Sequence, residues 1–290
     1  RCMDALGLDY QVLFPGNMLG LATHPQPRVE SHLAYAYNKF LVERIISADD
    51  RIKTLLYLPL TDVEMCRRII GEFAEAKGVL GFMVTSVRFK PVHHNAYIPI
   101  YKMLEERGLP LAFHAGPNWT DDYMKQLDLF ISMHAISFVL CNMVHLTNWI
   151  IQGMPERFPR LKVIWIESGV AWIPFMMQRL DSEYLMRSSE APLLKKLPSE
   201  YMRDMFFSSQ PIETSNMALL EATMTAMKAE TQMLYASDWP HWDFNPPSTI
   251  YDLPFLDDAA KRNILGGNAA RLFNLPLREA TAAAELAAAE

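Results

Sequence analysis

Met233-Leu234-Tyr235-Ala236-Ser237-Asp238-Trp239-Pro240-His241-Trp242-Asp243 is a short apolar run that empties into a loop holding two carboxylates, an imidazole and two indoles. An apolar run of this length, bounded by turn formers, has the pattern of a strand buried on both faces. The first polar group beyond such a strand stands at the mouth of the core, partly shielded from water, where it can bind a cation or move a proton. Taken alone, the loop reads equally well as a turn that Asp238 caps and Trp239-Pro240 stiffens. The arrangement recurs, however. Leu111-Ala112-Phe113-His114 runs into Ala115-Gly116, Val163-Ile164-Trp165-Ile166 into Glu167-Ser168-Gly169, and Met205–Ser208 into Ser209-Gln210.

Seven such runs, Tyr10–Phe14, Ile52–Pro59, Val79–Val84, Pro110–His114, Leu161–Ile166, Met205–Ser208 and Gln232–Ala236, alternate with amphipathic stretches near 30–48, 62–77, 95–108, 135–152, 172–188 and 215–229. A last helical pattern covers Asp257–Phe273. Strand and helix in alternation specify a parallel sheet wrapped by helices. No strand is followed by GxGxxG or GxxxxGK[ST], which weighs against an open nucleotide-binding sheet. The pattern predicts an α/β fold, a (β/α)8 barrel, as one domain over 1–276 with an Ala-rich tail at 277–290. Seven strands are one short of closure. The chain opens on Arg1 with what reads as a helix end entering a strand, so the first barrel strand is expected upstream.

Half of the residues are hydrophobic and the net charge is −6, so there is no surplus of Lys and Arg to neutralise phosphates. Nucleic acid is thereby disfavoured and a small molecule expected. Cys2, Cys66 and Cys141 are odd in number and lack metal-ligand spacing, which fits free thiols in a reducing cytoplasm. Leu129–Pro155 contains no Asp, Glu, Lys or Arg and is long enough to span a bilayer, but His134, Asn142, His145, Asn148 and Gln152 make it too polar to face lipid. It is expected to be buried in the core or against a second copy of the chain in a homodimer, not in a membrane.

In a barrel, the groups ending the strands share one rim. His114 and Asp238 are natural ligands of a divalent cation, zinc or manganese, although a catalytic zinc takes three protein ligands and the third is not evident. Glu167 could ligate, orient or exchange a proton. Pro240 directs Trp239 toward extended geometry and should carry His241 along the rim beside Asp238, as proton donor or brace. Arg88 is placed to pair with a substrate carboxylate, and Trp119, Trp172, Trp239 and Trp242 to wall a flat apolar pocket. The adjacent His93-His94 read as a surface pair, and His134 and His145 as core or supporting groups.

Phe113-His114-Ala115-Gly116, the Phe158-Pro159-Arg160-Leu161-Lys162-Val163 lead into Trp165-Ile166-Glu167-Ser168-Gly169, Ser237-Asp238-Trp239-Pro240-His241, and Ile264-Leu265-Gly266-Gly267-Asn268-Ala269-Ala270-Arg271-Leu272-Phe273 occur in an order that resembles the amidohydrolase-related family. That branch of the amidohydrolase superfamily includes aminocarboxymuconate-semialdehyde decarboxylase and aromatic-acid decarboxylases. The resemblance implies a metal-bearing barrel whose fifth-strand histidine and eighth-strand aspartate, here His114 and Asp238, bind the metal. Two features depart from the pattern. The first-strand HxH or ExH pair has no counterpart, and Glu167 stands where the decarboxylases carry a histidine. The implied activity is non-oxidative decarboxylation of a small aromatic or muconate-like acid. The alternatives are hydrolysis of a lactone, ester or amide, or a metal-poor barrel without turnover.

Overall fold

A computed structural model describes residues 2–85, 90–116, 118 and 121–276. Its seven strands are β1 (Gln11–Leu13), β2 (Ile52–Tyr57), β3 (Val79–Thr85), β4 (Leu111–His114), β5 (Val163–Ile166), β6 (Phe206–Ser208) and β7 (Met233–Leu234). They lie in sequence order in one sheet and every neighbouring pair is parallel. A parallel pair needs a crossover, and each crossover here carries a helix: Pro27–Phe40, Val63–Phe73, Ile98–Arg107, Phe130–Ile151, Trp172–Arg187 and Met217–Ala226. All seven strands expected from the sequence are present. β1 and β7 remain the two edges of the sheet, so the described strands are a (β/α)8 barrel lacking one.

The period-2 geometry of the strands divides the core in two. Leu55, Tyr57, Met83, Ala112, Ile164, Ile166 and Leu234 meet in one cluster inside the curled sheet. Their sequence neighbours Leu56, Phe82, Val84, Phe113, Trp165, Phe207 and Met233 point the other way, into the layer packed against the helices. There Phe113 stacks on Trp165 with ring centroids 4.6 Å apart, and Trp149 of the helix Phe130–Ile151 meets Phe113 edge-on at 5.6 Å.

Local chemistry sets the helix limits. The side chains of Asp62, Asn216 and Asp257 accept the backbone N–H groups of Met65, Leu219 and Ala260, and Gly108 ends its helix at φ +65°. The uncharged helix begins at Phe130, earlier than the expected 135, and runs 22 residues. By length and composition it could cross a membrane, but Asn142, His145 and Trp149 are among its residues buried in the fold. Short helices at Met154–Arg157, Pro198–Met202 and Ala229–Gln232 were not expected, being too brief to establish a period. The last helical stretch is split by a wider turn at Asn263–Gly267, where Gly266 and Gly267 fall.

Candidate metal centre

Four strand ends bring the polar groups together. His114 closes β4 and is registered against Ile166 of β5, which places it beside Glu167 in the next position. Nε2 of His114 lies 3.0 Å from Oε2 of Glu167, and both residues are buried. Two lone pairs do not sit this close unshielded, so the contact requires a shared proton or a shared cation. With the ring protonated, Nδ1 donates to the carbonyl of Ala115 at 2.6 Å and Nε2 donates to Glu167. Burial alone lowers the His114 pKa, but the Glu167 charge and hydrogen bond, with the Ala115 carbonyl and the Asp238 charge, outweigh it and hold the pKa above the ordinary value.

Glu167 occupies a left-handed backbone conformation, φ +56°, and its N–H donates to Oγ of Ser208 at 3.0 Å. The turn after it is pinned from two sides. Nδ2 of Asn142, buried on the uncharged helix, donates to the carbonyl of Ile166 at 3.1 Å and to Oγ of Ser168 at 3.0 Å. The Glu213 carboxylate accepts the N–H groups of Val170 and Ala171 at 2.9 and 3.3 Å, where the next helix begins.

Asp238 follows β7 and is also left-handed, φ +58°. The loop does not run on in an extended path past Pro240. It turns back, the N–H of His241 donating to the carbonyl of Asp238 at 2.8 Å, and Nδ1 of His241 reaches Oδ2 of Asp238 at 2.8 Å. Burial, reinforced by the charges of Glu167 and Asp243 and opposed by His241, pushes the Asp238 pKa up to about 7. One ligand atom each from Glu167, Asp238 and His241 lie within 4.8 Å of one another, a spacing that suits a divalent cation. His114, expected as a ligand, lies outside this group of three and contacts it through Nε2 at Oε2 of Glu167.

The centre opens into a cavity of about 530 Å³ lined by both sheet edges, from Gln11 to Phe14 on one side and from Leu234 to His241 on the other. Phe14, Leu19, Tyr37, Ile164 and Ile166 make its walls largely apolar, while His114, Glu167, Ser208, Gln210, Asp238 and His241 supply polar groups. Phe14 meets the His114 ring edge-on at 5.6 Å.

The tryptophans expected to wall this space divide. Trp239 lines it and packs edge-on against Phe244 at 5.3 Å. Trp242 does not line it; the side chain is 76% exposed and lies 5.4 Å from the His134 ring. Trp172 is a core residue instead. As the first residue of its helix it turns inward, donates from Nε1 to the carbonyl of Gly169 at 2.9 Å and meets Phe207 edge-on. Arg88 and Trp119 lie outside the described residues. Gln210 was visible in the sequence only as a strand-end residue, and Asn142 gave no signal, because one amide on an apolar helix looks like any other.

Comparison with solved structures gives a common fold. A 5-carboxyvanillate decarboxylase from Sphingomonas paucimobilis is 23% identical, with a TM-score of 0.75 over 94% of this chain and 81% of that one. A 2,6-dihydroxybenzoate decarboxylase from Rhizobium is 20% identical, with a TM-score of 0.73 over 94% and 86%. A dihydroxybenzoic acid decarboxylase from Polaromonas sp. JS666, solved with manganese and 2-nitroresorcinol, is 20% identical, with a TM-score of 0.77 over 95% and 84%. No curated protein matches the sequence. The amidohydrolase family model matches residues 2–275, and the chain belongs to that family.

Proposed function

We propose that this amidohydrolase-family chain is a metal-dependent enzyme that removes carbon dioxide, non-oxidatively, from a small aromatic or muconate-like carboxylic acid. The observation that carries the reading is the apolar cavity ending in His114, Glu167, Asp238 and His241. Solved relatives of the same fold are decarboxylases of 5-carboxyvanillate and dihydroxybenzoates, two of the solved structures containing manganese.

Glu167, Asp238 and His241 would hold the cation, His114 joining through Nε2 once the proton it shares with Glu167 is lost, and these oxygen and nitrogen donors suit manganese or zinc. A divalent cation there supplies Lewis-acid charge for a substrate carboxylate and a neighbouring oxygen. The apolar walls seat a flat ring and exclude water. Loss of carbon dioxide leaves the bonding electron pair on the ring carbon, which must take up one proton. Asp238 and His241, paired Oδ2 to Nδ1 at 2.8 Å, would pass that proton from an atom not engaged by the cation. Carbon dioxide release from a panel of hydroxybenzoates, carboxyvanillates and muconate-like acids tests the proposal. Release should occur with at least one acid after manganese or zinc is added, and be lost on chelation.

The family membership itself favours a second reading, in which Asp238 or Glu167 takes a proton from a water that attacks a lactone, ester or amide carbonyl. A parallel panel of such substrates separates the two. Inactivity on both panels would favour a barrel without turnover.

We further propose a homodimer in the cytoplasm, with the uncharged helix at the interface. Phe130, Ile131, Ile136 and Val144 are exposed along that helix, an apolar surface that water disfavours. Light scattering should give a dimer, and Ile131→Glu with Ile136→Glu a monomer.

A further inference from the structure

β6 lies between the two strands whose ends carry the candidate carboxylate ligands. Ser208, its last residue, accepts the Glu167 N–H on Oγ at 3.0 Å, on the β5 side. On the β7 side, Nε2 of Gln210 donates to Oδ2 of Asp238 at 3.4 Å and to Oδ2 of Asp243 at 3.2 Å. The two residues are tied together, Oγ of Ser208 donating to the Gln210 carbonyl at 3.4 Å. Both line the cavity and both are buried, Gln210 to 1% exposure. The amide can face only one way. Its oxygen turned toward two carboxylates would be repelled, so the NH2 group must point at them.

Glu167 and Asp238 need such support more than most residues. Each is a non-glycine in the left-handed region, where the backbone would relax unless held, and their carboxylates repel one another when both are ionised. A hydroxyl that takes the backbone N–H of one and an amide that takes the side-chain oxygen of the other fix both from a single strand end. Gln210 also shares Oδ2 of Asp238 with Nδ1 of His241, so two donors set the orientation of that carboxylate.

We propose that Ser208 and Gln210 form a bracket that positions Glu167 and Asp238 for a divalent cation, a role distinct from ligation and one that rests on the metal-centre reading above. Neither residue touches the ion. Their effect is on its affinity and on the symmetry of its ligand field, as expected of groups that brace ligands.

The test uses manganese(II) alone as the probe, titrated into chelator-treated full chain and followed by calorimetry and electron paramagnetic resonance. Gln210→Met keeps the length and removes the donor; Ser208→Ala removes the acceptor; Ser208→Thr keeps it. The first two should weaken manganese binding by about 10- to 100-fold and broaden the resonance of the bound ion, with the protein still folded and its melting temperature lowered by only a few degrees, while Ser208→Thr restores binding. Gln210→Leu serves if Gln210→Met does not fold. Asp238→Asn separates the two levels of the argument. If Asp238→Asn abolishes binding but Gln210→Met, Gln210→Leu and Ser208→Ala bind as the parent does, the bracket is wrong. If the parent binds no manganese, or Asp238→Asn binds it equally well, the metal-centre reading fails and the bracket with it.

Discussion

Nε2 of His114 faces Oε2 of Glu167 across 3.0 Å, at the ends of two strands that hydrogen-bond side by side. This contact stabilises a charge on an imidazole that burial would otherwise discharge. Glu167→Gln should therefore drop the His114 pKa below that of an ordinary histidine, since the desolvation remains and the compensating carboxylate is gone. Histidine ring resonances followed by NMR in chelator-treated protein report this. An unmoved titration would mean that Glu167 does not control the ring.

The pH dependence of stability has a definite sign. The Asp238 carboxyl titrates near 3.8 in the unfolded chain and about 7 in the fold, so between these values the folded state retains a proton that the unfolded state has lost. Its contribution declines as pH rises through that window. His114, with its pKa also raised, acts in the same direction and loses its contribution as pH passes its folded pKa. Chelator-treated protein should accordingly resist urea better at pH 5 than at pH 8 as far as these groups decide it, and Asp238→Asn should reduce the difference. Metal, competing with the same protons, should bind more tightly as pH rises through about 7.

Trp172 and Trp239 should respond oppositely to truncation. Trp172→Ala removes a buried core indole and should cost about 3–5 kcal/mol in chemical denaturation. Trp239→Ala, 52% exposed beside the cavity, should hardly move the denaturation midpoint but should raise KM for any substrate found.

A side chain at Gly169 would strain the backbone and push Glu213 aside. The glycine sits at φ +69°, and a Cβ would lie 2.2 Å from Oε1 of Glu213, the group that caps the following helix. Gly169→Ala should cost roughly 1–3 kcal/mol in backbone strain, more with the clash, and should weaken manganese binding by displacing the turn that carries Glu167. Thermal unfolding and manganese titration of the variant measure the two effects separately.

The strands were legible because burial on both faces leaves a continuous apolar run, as at Val163–Ile166. His114, Glu167 and Asp238 could be placed on one rim because each follows such a run directly. What lay beyond reading was direction. Nothing in the sequence tells that Trp172, as the opening residue of a helix, turns inward while Trp239 faces the cavity, because both simply follow a strand. The left-handed backbones of Glu167 and Asp238 are equally silent in sequence, being imposed by neighbours such as Ser208, Asn142 and Gln210 that are distant in the chain.

An open sheet ordinarily offers its edges to other strands, the route to fibrous aggregation. Here the edges are poor templates. β1 has three residues and β7 two, and the segment from Ile264 to Pro276 hydrogen-bonds beside both. Tyr235 N–H donates to the carbonyl of Ile264, Nδ2 of Asn268 to the carbonyl of Met233 at 2.7 Å, and the Tyr10 hydroxyl to the carbonyl of Pro276 at 2.9 Å. A strand pairing beside β1 or β7 would have to displace these bonds for a ladder only two or three residues long, so the two outermost described strands are weak templates for pairing between chains.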